Sequence, residues 1–219
     1  MKIGIIGAGN IGGNLTRRLT HLGHQVRVAN SRGPETLSEL TSSTGAIATN
    51  VNEVAIDADV VIVTIPEKNV PNLPTGFLDG APANVVVIDT GNYYPQQRDG
   101  RIAEIEEGMT ESRWVSTQIG FRVVKAFNGL YAANIIERAR PEGDPDRIAL
   151  PVAGDDPAAK KVVMDLINEL GFDAVDAGSI DDSWRQEPGS PVYGATNDAN
   201  GVRLALASAH HARSVEWRA

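Results

Sequence analysis

The chain has 219 residues, enough for one medium domain with a real apolar core. Its 28 acidic against 20 basic residues leave a net charge of −8, a surface that repels nucleic acid and anionic membrane. No cysteine is present, which excludes disulfides, thiolate metal sites and thiol nucleophiles, and the longest apolar runs, near 60–65 and 85–88, are too short to span a bilayer.

Met1–Gly13, MKIGIIGAGNIGG, opens the chain. The apolar run Ile3, Ile5, Ile6 stops at Gly7-Ala8-Gly9-Asn10-Ile11-Gly12, and Ile11, Leu15, Leu19 and Leu22 then fall on one helical face. This is strand, glycine turn, helix, with G-x-G-x-x-G in the turn. Gly7 permits the tight turn, Gly9 lets a pyrophosphate approach the backbone, and Gly12 lets helix and strand pack closely. The helix N-terminus then faces the phosphates with its free N–H groups. Gly7 interrupts the apolar run, so the run is a first strand rather than a signal peptide, and a cytoplasmic setting is expected.

Gln25–Ala29 alternates as a second strand and ends in Asn30-Ser31-Arg32. An NAD site places a carboxylate there, about 20 residues past the glycines, on the ribose 2′-hydroxyl. Here a hydroxyl and a guanidinium stand instead, suited to a 2′-phosphate, so NADP(H) is expected over NAD(H). Pro34 opens a helix over Glu35–Ser43, Ala46–Thr49 is a short strand, and a brief helix surrounds Glu53. Asp59–Thr64 and Asn84–Asp89 have the continuous β-branched character of parallel strands buried on both faces. Between them, the prolines and glycines of 67–82 predict loop or irregular helix.

Helical stretches pass through Ile102 and Ile105, then Trp114 and Ile119, before a strand over Arg122–Ala126. Ile148–Ala153, a helix capped by Asp156 with Pro157 at its first position, and Ala174–Ala177 form a further strand–helix–strand unit. Asp155 and Asp156 therefore belong to a helix cap, and no metal site is expected. A turn around Trp184, a Pro/Gly loop and a final helix over Asp198–His211 complete the chain. The alternation predicts an α/β fold, a doubly wound parallel sheet of Rossmann type. Residues 1–177 form its nucleotide-binding domain, including the unit 148–177, and 178–219 form a C-terminal extension bordering the acceptor. Ligands of such sheets bind beyond the carboxyl ends of the strands, which gathers the turns at 7–12, 30–32, 64–66, 89–92 and 126–128 on one edge.

GIIGAGNIGGNLTRRL, the NSR after strand two, VIVTIP, VVKAFN (Val123–Asn128) and VAGDDPAAKKVVMDLINELGFDAVDAGSI (Val152–Ile180) resemble the deazaflavin-dependent NADP oxidoreductase family. Its namesake exchanges hydride between NADPH and coenzyme F-420. The pattern is also similar to the cytosolic domain of six-transmembrane metalloreductases, which pass hydride from NADPH to a flavin. The resemblance implies a homodimer and an NADP(H) site in which Gly7, Ala8, Gly9, Asn10 and Ile11 meet the pyrophosphate. Asn30, Ser31 and Arg32 would hold the 2′-phosphate end, and Thr64, Ile65 and Pro66 would line the path to the nicotinamide. Ala126, Phe127 and Asn128 would lie beside that ring. Family members often carry asparagine-proline after the fifth strand, whereas DTGNYYP offers Asn92 with Pro95 three residues on.

A two-ring hydride transfer needs stacked rings rather than an obligatory side-chain acid, and no catalytic side chain is assigned. His21, His24, His210 and His211 are expected at the surface, and no Tyr-x-x-x-Lys pair is present. Lys125 is open to two readings: a cation that reaches substrate or cofactor phosphate, or one that pairs with a carboxylate at the sheet edge. Trp184 and Arg185 either roof an acceptor ring or pin the tail. The leading expectation is an NADP(H)-dependent oxidoreductase with a flavin, deazaflavin or other small acceptor. The alternatives are a non-catalytic NADP(H)-sensing module and an imine or β-hydroxyacid reductase, whose usual helical domain the residues after Ala177 are too few to form.

Overall fold

The computed structural model describes residues 1–219. Eight strands form: β1 (Lys2–Ile6), β2 (Gln25–Ala29), β3 (Ile47–Ala48), β4 (Val60–Val63), β5 (Val86–Asp89), β6 (Val124–Lys125), β7 (Ala149–Val152) and β8 (Asp173–Asp176). The helices are α1 (Asn10–His21), α2 (Ser38–Thr44), α3 (Ala103–Glu106), α4 (Glu111–Ile119), α5 (Asn134–Glu137), α6 (Pro157–Glu169) and α7 (Ala199–Ala207). No helix is long and apolar enough to cross a membrane. The first six strands pair in parallel in the order β3-β2-β1-β4-β5-β6. Strand order therefore reverses between β1 and β4, where a doubly wound sheet opens its ligand crevice.

Period-two alternation divides each central strand between two cores. Val60 and Ile62 join Leu15 and Leu19 of α1 and Val163, Leu166 and Ile167 of α6 on one face. Val61 and Val63 join Val54, Phe77, Trp114 and Val115 on the other. Burial on both faces is why these strands carry β-branched residues without a polar alternate. Asp156 caps α6 by accepting from the N–H groups of Ala158 at 2.9 Å and Ala159 at 3.2 Å. Asp155 is committed elsewhere, to Ile180 N at 3.0 Å and to Arg113 at 2.9 Å.

Three expected elements come out differently. The unit 148–177 does not extend the main ladder: β7 and β8 pair with each other and meet β6 through one antiparallel bridge, Lys125 with Ala153. Pro151 supplies the reason. Ala149 and Ala153 donate away from β8, to Asn197 O and Lys125 O, and Pro151 between them has no N–H to give. Its carbonyl instead accepts from the Gln186 side chain at 3.4 Å. The strand expected over Arg122–Ala126 is accordingly only Val124–Lys125. The final helix stops at Ala207 rather than His211, because the chain turns back and the His211 ring packs on Trp184, 4.9 Å between centroids. Pro34–Leu37, Val51–Glu53 and Glu67–Asn72 are 3-10 turns.

Two glycines bring α1 onto β1. Gly7 turns with φ +104°, and a Cβ there would lie 2.4 Å from Thr64 O. A Cβ on Gly12 would lie 1.9 Å from Gly7 O. Gly12→Ala is therefore expected to lower the melting temperature despite alanine's better helix propensity, through overpacking that costs about 1–3 kcal/mol. A thermal melt at or above wild type would show that α1 can back away from the strand.

Candidate functional site

The loops after β1, β2 and β4 enclose a cavity of ≈ 930 Å³. Gly7, Ala8 and Gly9 form its floor beside Thr64, Ile65 and Pro66, and Asn30, Ser31 and Arg32 line it from the end of β2. A Cβ on Gly9 would meet nothing within 4 Å, so the backbone there lies open. Asn10 and Ile11 follow in the first turn of α1. No side chain caps that helix and no acid occupies its first turn, so its leading N–H groups keep their hydrogen-bonding capacity. None of the 18 lining residues is acidic.

Asn30 builds the turn that presents Ser31 and Arg32. Its Oδ1 accepts from Arg32 N at 2.9 Å, and its Nδ2 donates to Thr36 Oγ1 at 2.9 Å. Arg32 is exposed and its guanidinium joins no salt bridge. Four amides that sequence reasoning passed over, Asn50, Asn52, Asn69 and Asn72, line the same cavity. Asn69 and Asn72 lie three apart on one 3-10 turn, the single local signal that could have grouped them.

The other expected residues stand apart from this cavity. Asn92 and Asn128 bind each other: Asn92 Nδ2 donates to Asn128 O at 2.9 Å, and Asn128 Nδ2 donates to Asn92 Oδ1 at 3.0 Å. Gln186 closes the group, donating to Asn128 Oδ1 at 3.0 Å and accepting at its backbone O from Asn128 Nδ2 at 2.7 Å. Ala126 and Phe127 are buried in the core. Phe127 holds φ +65°, a left-handed conformation rare outside glycine, and this bend sends the chain from β6 toward Asn92.

Beneath that loop lies a buried charge cluster. Lys125 is fully enclosed, and its Nζ donates to Gly91 O at 3.1 Å and to Glu111 Oε2 at 3.4 Å, with Asp89 Oδ2 at 4.0 Å. Of the two readings of Lys125, the structure shows the pairing with carboxylates. Asp89 receives Gly91 N at 2.9 Å and Ser112 Oγ at 2.6 Å. Arg213, from the tail, donates to Glu111 Oε1 at 2.8 Å and Glu187 Oε2 at 2.6 Å. Glu67 receives Arg98 at 3.2 Å, and Arg98 also donates to Asn92 O. Burial pushes the Glu111 carboxyl up to about 7, with the Glu187 charge adding to it and Lys125 and Arg213 opposing. Burial likewise raises Glu67 well above the usual carboxylate range, helped by Asp89 and Glu111. For Lys125, burial favours the neutral form, but the surrounding carboxylates, Glu111 foremost, outweigh it and hold the ammonium charged.

Residues 2–93 match the family described as NADP oxidoreductase, coenzyme F420-dependent. The crystal structure of the hypothetical protein SMa0349 from Sinorhizobium meliloti is 31% identical, aligns over 89% of this chain and 93% of that one, and has a TM-score of 0.74. The Escherichia coli (strain K12) protein YjhV is 57% identical over 53 residues, 24% of this chain. Metalloreductase STEAP3 of Rattus norvegicus is 27% identical over 180 residues, 82% of this chain. The chain spans only 39% and 34% of the length of these last two proteins.

Proposed function

The chain belongs to the family of coenzyme F420-dependent NADP oxidoreductases, and from that premise we propose that it transfers hydride between NADPH and a flavin or deazaflavin acceptor. One observation carries the cofactor half of this reading. A single cavity joins the glycine turn, an uncapped helix N-terminus and an exposed arginine, and its wall holds no carboxylate. Gly7–Ile11 would take the pyrophosphate on backbone N–H groups, and Ser31 and Arg32 the 2′-phosphate. The amides of Asn50, Asn52, Asn69 and Asn72 would satisfy the adenosine's polar edge. Thr64–Pro66 would lead toward the nicotinamide, with Asn92, Ala126, Phe127 and Asn128 beyond it. In this reading residues 1–177 hold the dinucleotide and residues 178–219 border the acceptor.

The bound nicotinamide supplies the hydride; the chain's own residues orient the two rings and keep water out. The Asn92–Asn128–Gln186 bonds support this by fixing the loop after β5 to the bend after β6 before any ligand arrives. Such preorganisation spares ordering cost on binding. The test is NADPH oxidation followed at its nicotinamide absorbance with FMN, a deazaflavin, a quinone and a ferric chelate in turn. Turnover with a flavin or deazaflavin is expected. Tight NADPH binding without turnover for any of the four would favour a non-catalytic NADP(H)-sensing module instead.

A further inference from the structure

The 930 Å³ cavity ends at Thr64–Pro66 and Leu73-Pro74; Asn92, Phe127 and Asn128 do not reach its wall. The chain's own C-terminal segment covers the turn after β5 at Tyr94 and Gln96. Arg213 is anchored in the buried Glu111–Glu187 pair. Past this anchor the segment is held lightly. Gln96 Nε2 donates to Val215 O at 3.1 Å and Arg218 O at 2.9 Å, Ala219 N donates to Glu106 at 2.9 Å, and Val215 is 82% exposed.

Trp217 is the exception. Its indole packs against Tyr94, 5.8 Å between centroids, and against Tyr193, at 6.3 Å. Its underside rests on bare backbone: a Cβ on Gly189 would lie 2.5 Å from Trp217 Cδ1 and 2.7 Å from Nε1. The two phenols are hydrogen-bonded to each other, and the Arg98 guanidinium lies 4.8 Å from the Tyr94 ring centre. The Gly189 backbone and two aromatic walls, one of them Tyr94, two positions after Asn92 in the chain, make a seat for one planar heterocycle.

We propose that this seat is the acceptor-ring subsite, that Trp217 occupies it as an internal stand-in, and that residues 214–219 are a strap that swings out about the Arg213 anchor when a flavin-type ring binds. The proposal rests on the hydride-transfer reading above. It also names the acceptor class by shape: a planar, multi-ring heterocycle that packs against two tyrosine rings. While Trp217 holds the seat, the acceptor's apparent affinity falls by the fraction of molecules whose strap is open.

The experiment is equilibrium dialysis of FMN against the NADP⁺-loaded full chain, with NADP⁺ binding measured on the same samples. Trp217→Ala is expected to bind FMN roughly 10-fold tighter or better, because the competing occupant is gone. Adding Gly189→Ala to Trp217→Ala is expected to abolish that gain, because the new Cβ enters the seat and strains a turn held at φ +87°. Unchanged NADP⁺ binding in both variants reports an intact fold. FMN affinity in Trp217→Ala equal to or weaker than wild type would overturn the proposal, as would a gain that survives Gly189→Ala. Failure of the wild-type chain to bind NADP⁺ would sink the cofactor reading separately, while the FMN comparison still decides the seat.

Discussion

Replacing Arg32 by alanine is expected to weaken NADPH binding roughly 10- to 100-fold and to leave NADH nearly untouched. The two dinucleotides differ only in the 2′-phosphate, so the comparison isolates one contact. A hydrogen bond to a charged group is worth about 1.5–3 kcal/mol, which converts to that range. Nothing in the folded chain competes for the guanidinium, since Arg32 is exposed and unpaired at the cavity rim. Its removal should therefore cost little stability, and the loss should appear in binding alone. Because the contact is solvent-exposed, the effect should shrink as salt rises.

Isothermal titration of both dinucleotides into wild type and Arg32→Ala decides the matter. Equal losses for NADPH and NADH would refute the 2′-phosphate contact, and no loss for either would mean that Arg32 supports the turn through its backbone alone. That last alternative has a structural basis, because Arg32 N already donates to Asn30 Oδ1. The backbone bond survives the alanine substitution, so a turn-supporting role predicts almost no change for either ligand. A second substitution, Ser31→Asp, should reverse the preference by placing a carboxylate where the 2′-phosphate would lie.

What could be read from the chain was whatever local pattern encodes. The glycine spacing, the β-branched runs of β4 and β5 and the cap at Asp156 each depend on neighbours a few positions away. The polar interior does not. Arg213 meets Glu111 across 102 positions, and Gln186 meets Asn128 across 58. No periodicity announces such pairs. Glu111 sits beside Trp114 and Val115 in an ordinary amphipathic helix, where a leading glutamate suggests a favourable helix-dipole position rather than a buried ion. The separation of β7 and β8 from the main sheet turned on the side toward which Pro151 lacks a donor, and that depends on pairing register, which a four-residue strand does not disclose.

Lys125→Met should show how much of the fold depends on that hidden interior. Lys125 is the ammonium enclosed among Glu111, Asp89 and the Gly91 carbonyl, and methionine matches its length without its charge. Breaking a buried pair by removing one partner typically costs about 3–5 kcal/mol, which for a domain of this size lowers the melting temperature by roughly 6–20 °C. The loss must depend on pH. In the wild type the Glu111 carboxyl is raised from 4.5 to about 7, so its folded form binds a proton more tightly than its unfolded form does. Such a group contributes stability that is full below the unfolded value and fades as pH climbs through the folded one. Lys125 pulls that folded value down. Without it the carboxyl rises further, and the fading continues into the alkaline range. The deficit of Lys125→Met should therefore be small at about pH 5, where the Glu111 carboxyl can be neutral, and largest at about pH 9, where an unpaired buried carboxylate must form or the chain must unfold. Thermal melts of both proteins at the two pH values provide the comparison. A deficit of the same size at both would mean that the ammonium contributes packing rather than charge, and that the loop at Gly91–Asn92 is held by its backbone bonds alone.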